Sequence, residues 1–276
     1  MARRIILHIG APKAGSTYLQ RVLQANPTQL AAVGAVYPHQ GSGHPGNGRS
    51  IGDLDATAFA ALFPDGIDTV IFSHEDLFAL AQEASPLARM ARDAGVTVQK
   101  LVFMRPWSEF CVGDFSQHLK QNLDHYLSVR QAFGGQSFET MAEARAQTVD
   151  VIQFFLRWAR VIPIPPLTIV SHRCIRERVE ALLGQPGLDW SVPRHLTNPS
   201  LRLTDCEAIA AMIDDPTVPE EDVRAAYLTA LGSVDLPDPA RSPERLARIE
   251  AFFARQNDDL RAIYRYDNGL APVTSG

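Results

Sequence analysis

The chain has 276 residues, 46% hydrophobic and 21% charged, a balance expected of one soluble globular domain rather than two well-separated ones. Its 26 basic and 31 acidic residues give a net charge of −5, which excludes the basic field of a nucleic-acid binder but not a local anion site. Cys111, Cys174 and Cys206 fit neither a disulfide framework nor a metal-ligand spacing, and no run approaches the ~20 apolar residues of a membrane span. The opening MARRIILHIGAPK has too short an apolar run for a secretory signal, so a reducing, cytoplasmic setting is expected.

The first predicted strand is RIILHI (4–9), followed by the loop of HIGAPKAGSTYLQ (8–20) and a helix over 16–26 that stops at Asn26-Pro27. HQGSGHPGNGRSIGD (39–53) reads as a flexible polar loop. TVIFS (69–73), after the turn PDG, is the second strand, and VTVQKLVFM (96–104), after DAG, the third. Between them SPLARMARDAG (85–95) predicts a helix with Ser85 as its cap and Pro86 in its first turn. Helices are predicted over 107–123 and 150–161, and LTIVS (167–171), after IPIPP, is the fourth strand. Beyond Leu201 the strands cease, and three helices are expected from DCEAIAAMIDD, EEDVRAAYLTAL and SPERLARIEAFFARQNDDLRAIY. Continuous apolar strands alternating with amphipathic helices predict an α/β fold, a central parallel sheet flanked by helices. The expected organisation is a single domain, an α/β core over 1–200 with C-terminal helices over 201–276.

The loop after the first strand has the glycine spacing of a phosphate-binding P-loop, with Gly10 and Gly15 in place. Its lysine is displaced: Ser16 occupies the Walker lysine slot, Thr17 the hydroxyl slot, and Lys13 lies two residues before Gly15. A strand-to-helix turn of this kind offers an anion its backbone N–H groups and the positive end of the helix. Gly15 allows close approach, Ser16 and Thr17 add donors, and Lys13 adds a full charge. A tight turn capped by Ser16 would use the same residues without a ligand.

APKAGSTYLQ resembles the 5′-phosphosulfate loop of sulfotransferases that use 3′-phosphoadenylyl sulfate (PAPS), which reads P-K-[ST]-G-[ST]-[ST]. Pro12, Lys13, Gly15, Ser16 and Thr17 match, and Ala14 replaces a hydroxyl. The resemblance implies that Ala14, Gly15, Ser16, Thr17 and Tyr18 line the donor's phosphosulfate. It also implies that Lys13 reaches the bridging oxygen that leaves with the phosphate, with no metal required. KLVFMRPWSEFCVGDFSQHLKQ is similar to the family's second signature, an arginine at a strand end followed by a serine, which together clamp the 3′-phosphate. Arg105 matches; Gly113 stands at the serine position, and Ser116 is the nearby hydroxyl, about 60° around the helix. In RHLTNPSL, Arg194 stands where the family closes a basic loop over its nucleotide.

Sulfuryl transfer needs a base within reach of the acceptor's proton. TVIFSHEDL brings Ser73, His74, Glu75 and Asp76 to a strand's C-terminal end, the edge where ligands bind in open α/β sheets. His74 matches the Thr-His of cytosolic sulfotransferases, and Glu75 the Ser-Ser-Glu of bacterial members. Both stay open as the base, against a helix start with Ser73 as its cap. His39, His44 and His118 are reserve candidates, His8 is read as a hydrogen-bonded core residue, and Trp107 as the one tryptophan placed to meet a base. The implied partners are the nucleotide donor and a hydroxyl or amine acceptor in a glycan, lipid or small metabolite, with no nucleic acid. A P-loop small-molecule kinase and a non-catalytic nucleotide-binding relative are the alternatives. Against the kinase stand the missing Walker lysine and the lack of an obvious Mg²⁺-binding aspartate after TVIF.

Overall fold

The computed structural model describes residues 2–269 apart from Pro12, Gln40 and Ser42, with the backbone alone for Arg194 and His195. The described residues form two compact units, one from segments 2–105, 151–198 and 262–266, the other from 106–150, 199–261 and 267–269.

The first unit is built on a five-stranded sheet in the order β2-β3-β1-β4-β5, all parallel. β1 (Arg4–Ile9) lies at its centre, in register with β3 (Thr69–His74) from Arg4↔Thr69 to Ile9↔His74 and with β4 (Thr97–Met104) from Arg4↔Thr97. β5 (Thr168–Ser171) and the two-residue β2 (Ala35–Val36) form the edges. Ile5, Leu7 and Ile9 are fully buried, as are Val70, Val102 and Phe103, which explains why these strands read as unbroken apolar runs. Each such side chain contributes about 1.5–3 kcal/mol relative to an exposed position. Lys100 is the exception inside β4. Its ammonium donates to the carbonyls of Ile162 and Pro165, and burial lowers its pKa to about 8.

The helix after β1 (α1, Ser16–Ala25) buries Leu19, Val22 and Leu23 at the predicted spacing. It ends at Asn26, whose amide donates to the carbonyls of Val22 and Asp189 and accepts the Asp189 N–H, tying the loop before Trp190 to the helix. The helix Ser85–Asp93 departs from expectation at its start: Ala84 is the N-cap, no side chain caps it, and Ser85 is its first helical residue. The described residues 43–53 carry structure of their own. They contain a short 3-10 helix, Arg49–Asp53, and Asn47 fastens them to β3.

The second unit is helical. Trp107–Val129 runs six residues past its predicted end, and Phe138–Thr148 is a helix the sequence reading did not mark. The last predicted helix is two, Pro243–Phe252 and Ala254–Tyr264, broken at the fully buried Phe253, whose ring stacks on Trp107 at 4.7 Å. Trp107 also donates to the side chain of Asn257 at 2.8 Å, so it is a core residue rather than a platform for a base. No described helix is long and apolar enough to cross a membrane.

Candidate active site

Because every strand is parallel, the residues that follow β1, β3 and β4 emerge at one edge of the sheet. These are the loop Gly10–Gly15, the segment Glu75–Asp76 and Arg105. The ladder continues one rung past β1, Gly10 N–H donating to the His74 carbonyl at 3.1 Å. Gly10 has to be glycine here, since a Cβ would lie 2.7 Å from Ser16 Oγ and 3.0 Å from the Glu75 Cα.

The loop then turns twice through left-handed backbone, at Lys13 (φ 58°) and Gly15 (φ 90°). Glycine takes that conformation freely, whereas a lysine there carries strain of about 1–2 kcal/mol, the kind of local cost that collects at binding sites. Gly15 is the N-cap of α1 and provides no side chain to satisfy the helix start. The amides of the first turn, Ser16, Thr17 and Tyr18, therefore lack intrahelical acceptors. Ser16 is buried, and its hydroxyl has no hydrogen-bond partner among the described residues. Ala14 is buried with its N–H turned back to the Ala11 carbonyl at 3.3 Å. Pro12 lies outside the described residues.

Thr17 and Glu75 meet: the Thr17 hydroxyl donates to Glu75 Oε1 at 3.3 Å, and Glu75 is otherwise exposed. His74, by contrast, is 5% exposed. Its Nδ1 accepts the Asp76 N–H at 3.1 Å and lies 3.7 Å from the Asp76 carboxylate. Burial lowers its pKa below the ordinary imidazole value; Asp76 and Glu75 pull it up, while His44 and Arg49 add to the lowering. Ser73 is not a helix cap. It ends deep in β3, where its hydroxyl meets His8 Nδ1 at 2.7 Å and accepts from the Gln20 amide at 3.0 Å. His8 is the core residue expected, its pKa lowered by burial to about 3.

Tyr18 points elsewhere. Its hydroxyl donates to the Trp190 carbonyl at 2.9 Å, and Arg176 lies close enough to offset part of the rise that burial causes in its pKa. Arg176 belongs to the helix Ile175–Leu183, whose first residue packs on the loop after β1: a Cβ on Gly15 would lie 2.9 Å from Ile175 Cδ1. This wall, following β5, was not marked in the sequence; the basic run SHRCIRER directly after a strand was its signal. Arg105 follows β4 in the first unit. Gly113 and Ser116 sit in the long helix of the second unit, both buried, and the Ser116 hydroxyl accepts the Leu201 N–H at 2.8 Å. The hydroxyl offered for the 3′-phosphate is thus engaged with backbone of its own unit. Arg194 opens the 3-10 helix Arg194–Thr197, and its side chain lies outside the described residues.

No family model and no curated protein sequence matches the chain. Among solved structures, a sulfotransferase from Alicyclobacillus acidocaldarius matches over 95% of this chain and 100% of its own, with 18% identity and a TM-score of 0.38. That likeness is too distant to transfer a function.

Proposed function

We propose that this protein is a sulfotransferase that moves a sulfuryl group from PAPS to a hydroxyl or amine acceptor. The observation that carries this reading is the anion cradle between β1 and α1: strained Lys13, left-handed Gly15, and the buried, unpartnered hydroxyl of Ser16 at a helix start without a side-chain cap. An anion bound there would satisfy donors that the fold leaves unmatched. A sulfuryl group carries less charge than a phosphoryl group, which suits a loop whose lysine is displaced from the Walker position.

In the proposed division of labour, PAPS supplies an activated sulfuryl group whose bond to phosphate breaks as the acceptor oxygen or nitrogen attacks sulfur. Lys13 and the amides of α1's first turn stabilise the charge that develops on the departing phosphate. Glu75 takes the acceptor's proton. It is exposed at the sheet edge and held by Thr17 of α1, whereas His74 is buried and its Nδ1 accepts the Asp76 N–H. Arg105 is proposed to meet the 3′-phosphate and Arg194 to close over the nucleotide.

Thermal denaturation with added nucleotides tests the reading. Adenosine 3′,5′-bisphosphate raises the midpoint without divalent metal and ATP does so weakly. Stabilisation by ATP that requires Mg²⁺, with none from the bisphosphate, would point to the kinase instead.

A further inference from the structure

Three imidazoles run from the loop after β2 to the end of β3. His39 accepts the Gly41 N–H on Nδ1 at 3.0 Å, and its Nε2 lies 2.9 Å from the His44 carbonyl. His44 accepts the Gly46 N–H on Nδ1 at 3.0 Å, and His74 accepts the Asp76 N–H on Nδ1 at 3.1 Å. A ring nitrogen that accepts a hydrogen bond cannot carry the proton of a neutral imidazole, so each neutral ring bears it on Nε2.

The last two rings are in contact. His44 stacks on His74 with centroids 4.8 Å apart and planes 25° apart. The backbone closes in on the same residue, since a Cβ on Gly46 would lie 2.9 Å from His74 Cδ2 and 3.0 Å from His44 Cε1. Asn47 holds this segment against β3 by accepting the Ser73 N–H at 2.8 Å and donating to the Ile71 carbonyl at 2.9 Å. The groups facing His74 are thus Asp76 and Glu75 from its own segment and His44 and Arg49 from the loop that covers it.

We infer that His74 serves the reaction as a fixed hydrogen-bond donor through Nε2–H, and that His44 is the positioning residue that holds its ring in that orientation by stacking. A neutral, oriented N–H can donate to an oxygen of the reacting groups without first exchanging its proton with water. The role in the reaction rests on the sulfuryl-transfer reading; the stacking and the tautomer do not.

Nitrogen-15 NMR of histidine-labelled protein, free of ligand, tests the inference together with turnover of PAPS to adenosine 3′,5′-bisphosphate. Wild-type His74 should show a single Nε2–H tautomer. His44→Phe keeps a flat ring against His74 and should preserve both the tautomer and the turnover rate. His44→Ala should give an averaged His74 signal and a turnover rate lower by about tenfold or more, because a displaced group loses its alignment, with bisphosphate binding unchanged. A wild-type Nδ1–H tautomer, or a His44→Ala protein with unaltered His74 signals and turnover, overturns the positioning role. The expected tautomer in a protein that binds no bisphosphate and turns over no PAPS overturns the sulfuryl-transfer reading, and with it His74's part in the reaction.

Discussion

The Thr17 hydroxyl donates to Glu75 Oε1 at 3.3 Å, so the first turn of α1 and the residue that follows β3 are joined by one side-chain bond. One partner belongs to the proposed phosphate cradle and the other is the proposed base, so in the proposed reaction the contact would couple donor binding to acceptor activation.

Glu75→Gln should lower turnover by about 10²–10⁴, the usual worth of a positioned base, while binding of the bisphosphate persists. Thr17→Val should cost about tenfold or more through misplacement of the carboxylate. Since the two groups act through one contact, the double variant should be hardly slower than Glu75→Gln alone. Steady-state rates of the four proteins form the cycle; fully additive losses would separate the two residues.

Lys13→Gly separates folding from function. Glycine removes about 1–2 kcal/mol of left-handed strain but frees the unfolded chain by up to about 1 kcal/mol, so the unfolding free energy should hold or rise slightly. Turnover should fall by about 10²–10³ if Lys13 supplies the charge proposed to meet the leaving oxygen. A variant as active as the parent would take Lys13 out of the mechanism.

His8 makes stability depend on acid. Its pKa is about 3 in the folded chain against 6.5 for the free side chain, so between these values the unfolded state holds the extra proton. Stability is therefore complete above pH 6.5 and falls as the pH drops toward 3, by about 1.4 kcal/mol per unit. Urea titrations at pH 7.5 and pH 5 should show wild-type protein losing about 2 kcal/mol more than His8→Gln. Equal losses would mean that the ring is hydrated in the folded state.

Glu180 organises the loop beside the cradle. One of its oxygens accepts the Leu188 N–H and the Trp190 indole N–H, at 2.9 and 2.8 Å, and the other accepts the Gly187 N–H at 3.1 Å. Glu180→Gln turns an amide donor toward one of these N–H groups and should cost about 1–3 kcal/mol. Trp190 fluorescence should shift toward that of a wetter indole, and limited proteolysis should cut between 185 and 193. An unchanged spectrum and cleavage pattern would show that the loop is held by Asn26 and Tyr18 instead.

The long strands were legible to within a residue because burial on both faces leaves little but apolar side chains in β1, β3 and β4. β2 was not, since two residues carry no periodicity. The helix Phe138–Thr148 escaped for a related reason: only Phe138 and Ala142 are buried, too few to mark a stripe. The break at Phe253 had no proline or glycine to announce it. At the site, the cradle could be read from glycine spacing, and Glu75 and His74 from their place after a strand. The contact between Thr17 and Glu75, and the stacking of His44 on His74, join residues 58 and 30 positions apart and leave no local pattern.

β2 covers only the first two residues of β3, at Thr69 and Val70. Beyond them an uncovered strand would present a row of amides and carbonyls to any passing chain. Asn47 takes the place of the missing neighbour: its side chain meets the Ile71 carbonyl and the Ser73 N–H, and its own N–H and that of Gly48 meet the Ser73 carbonyl. Asn47 thus finishes the sheet where no further strand lies among the described residues. The sheet can stop at a two-residue strand without leaving the end of β3 open to edge-to-edge pairing and aggregation.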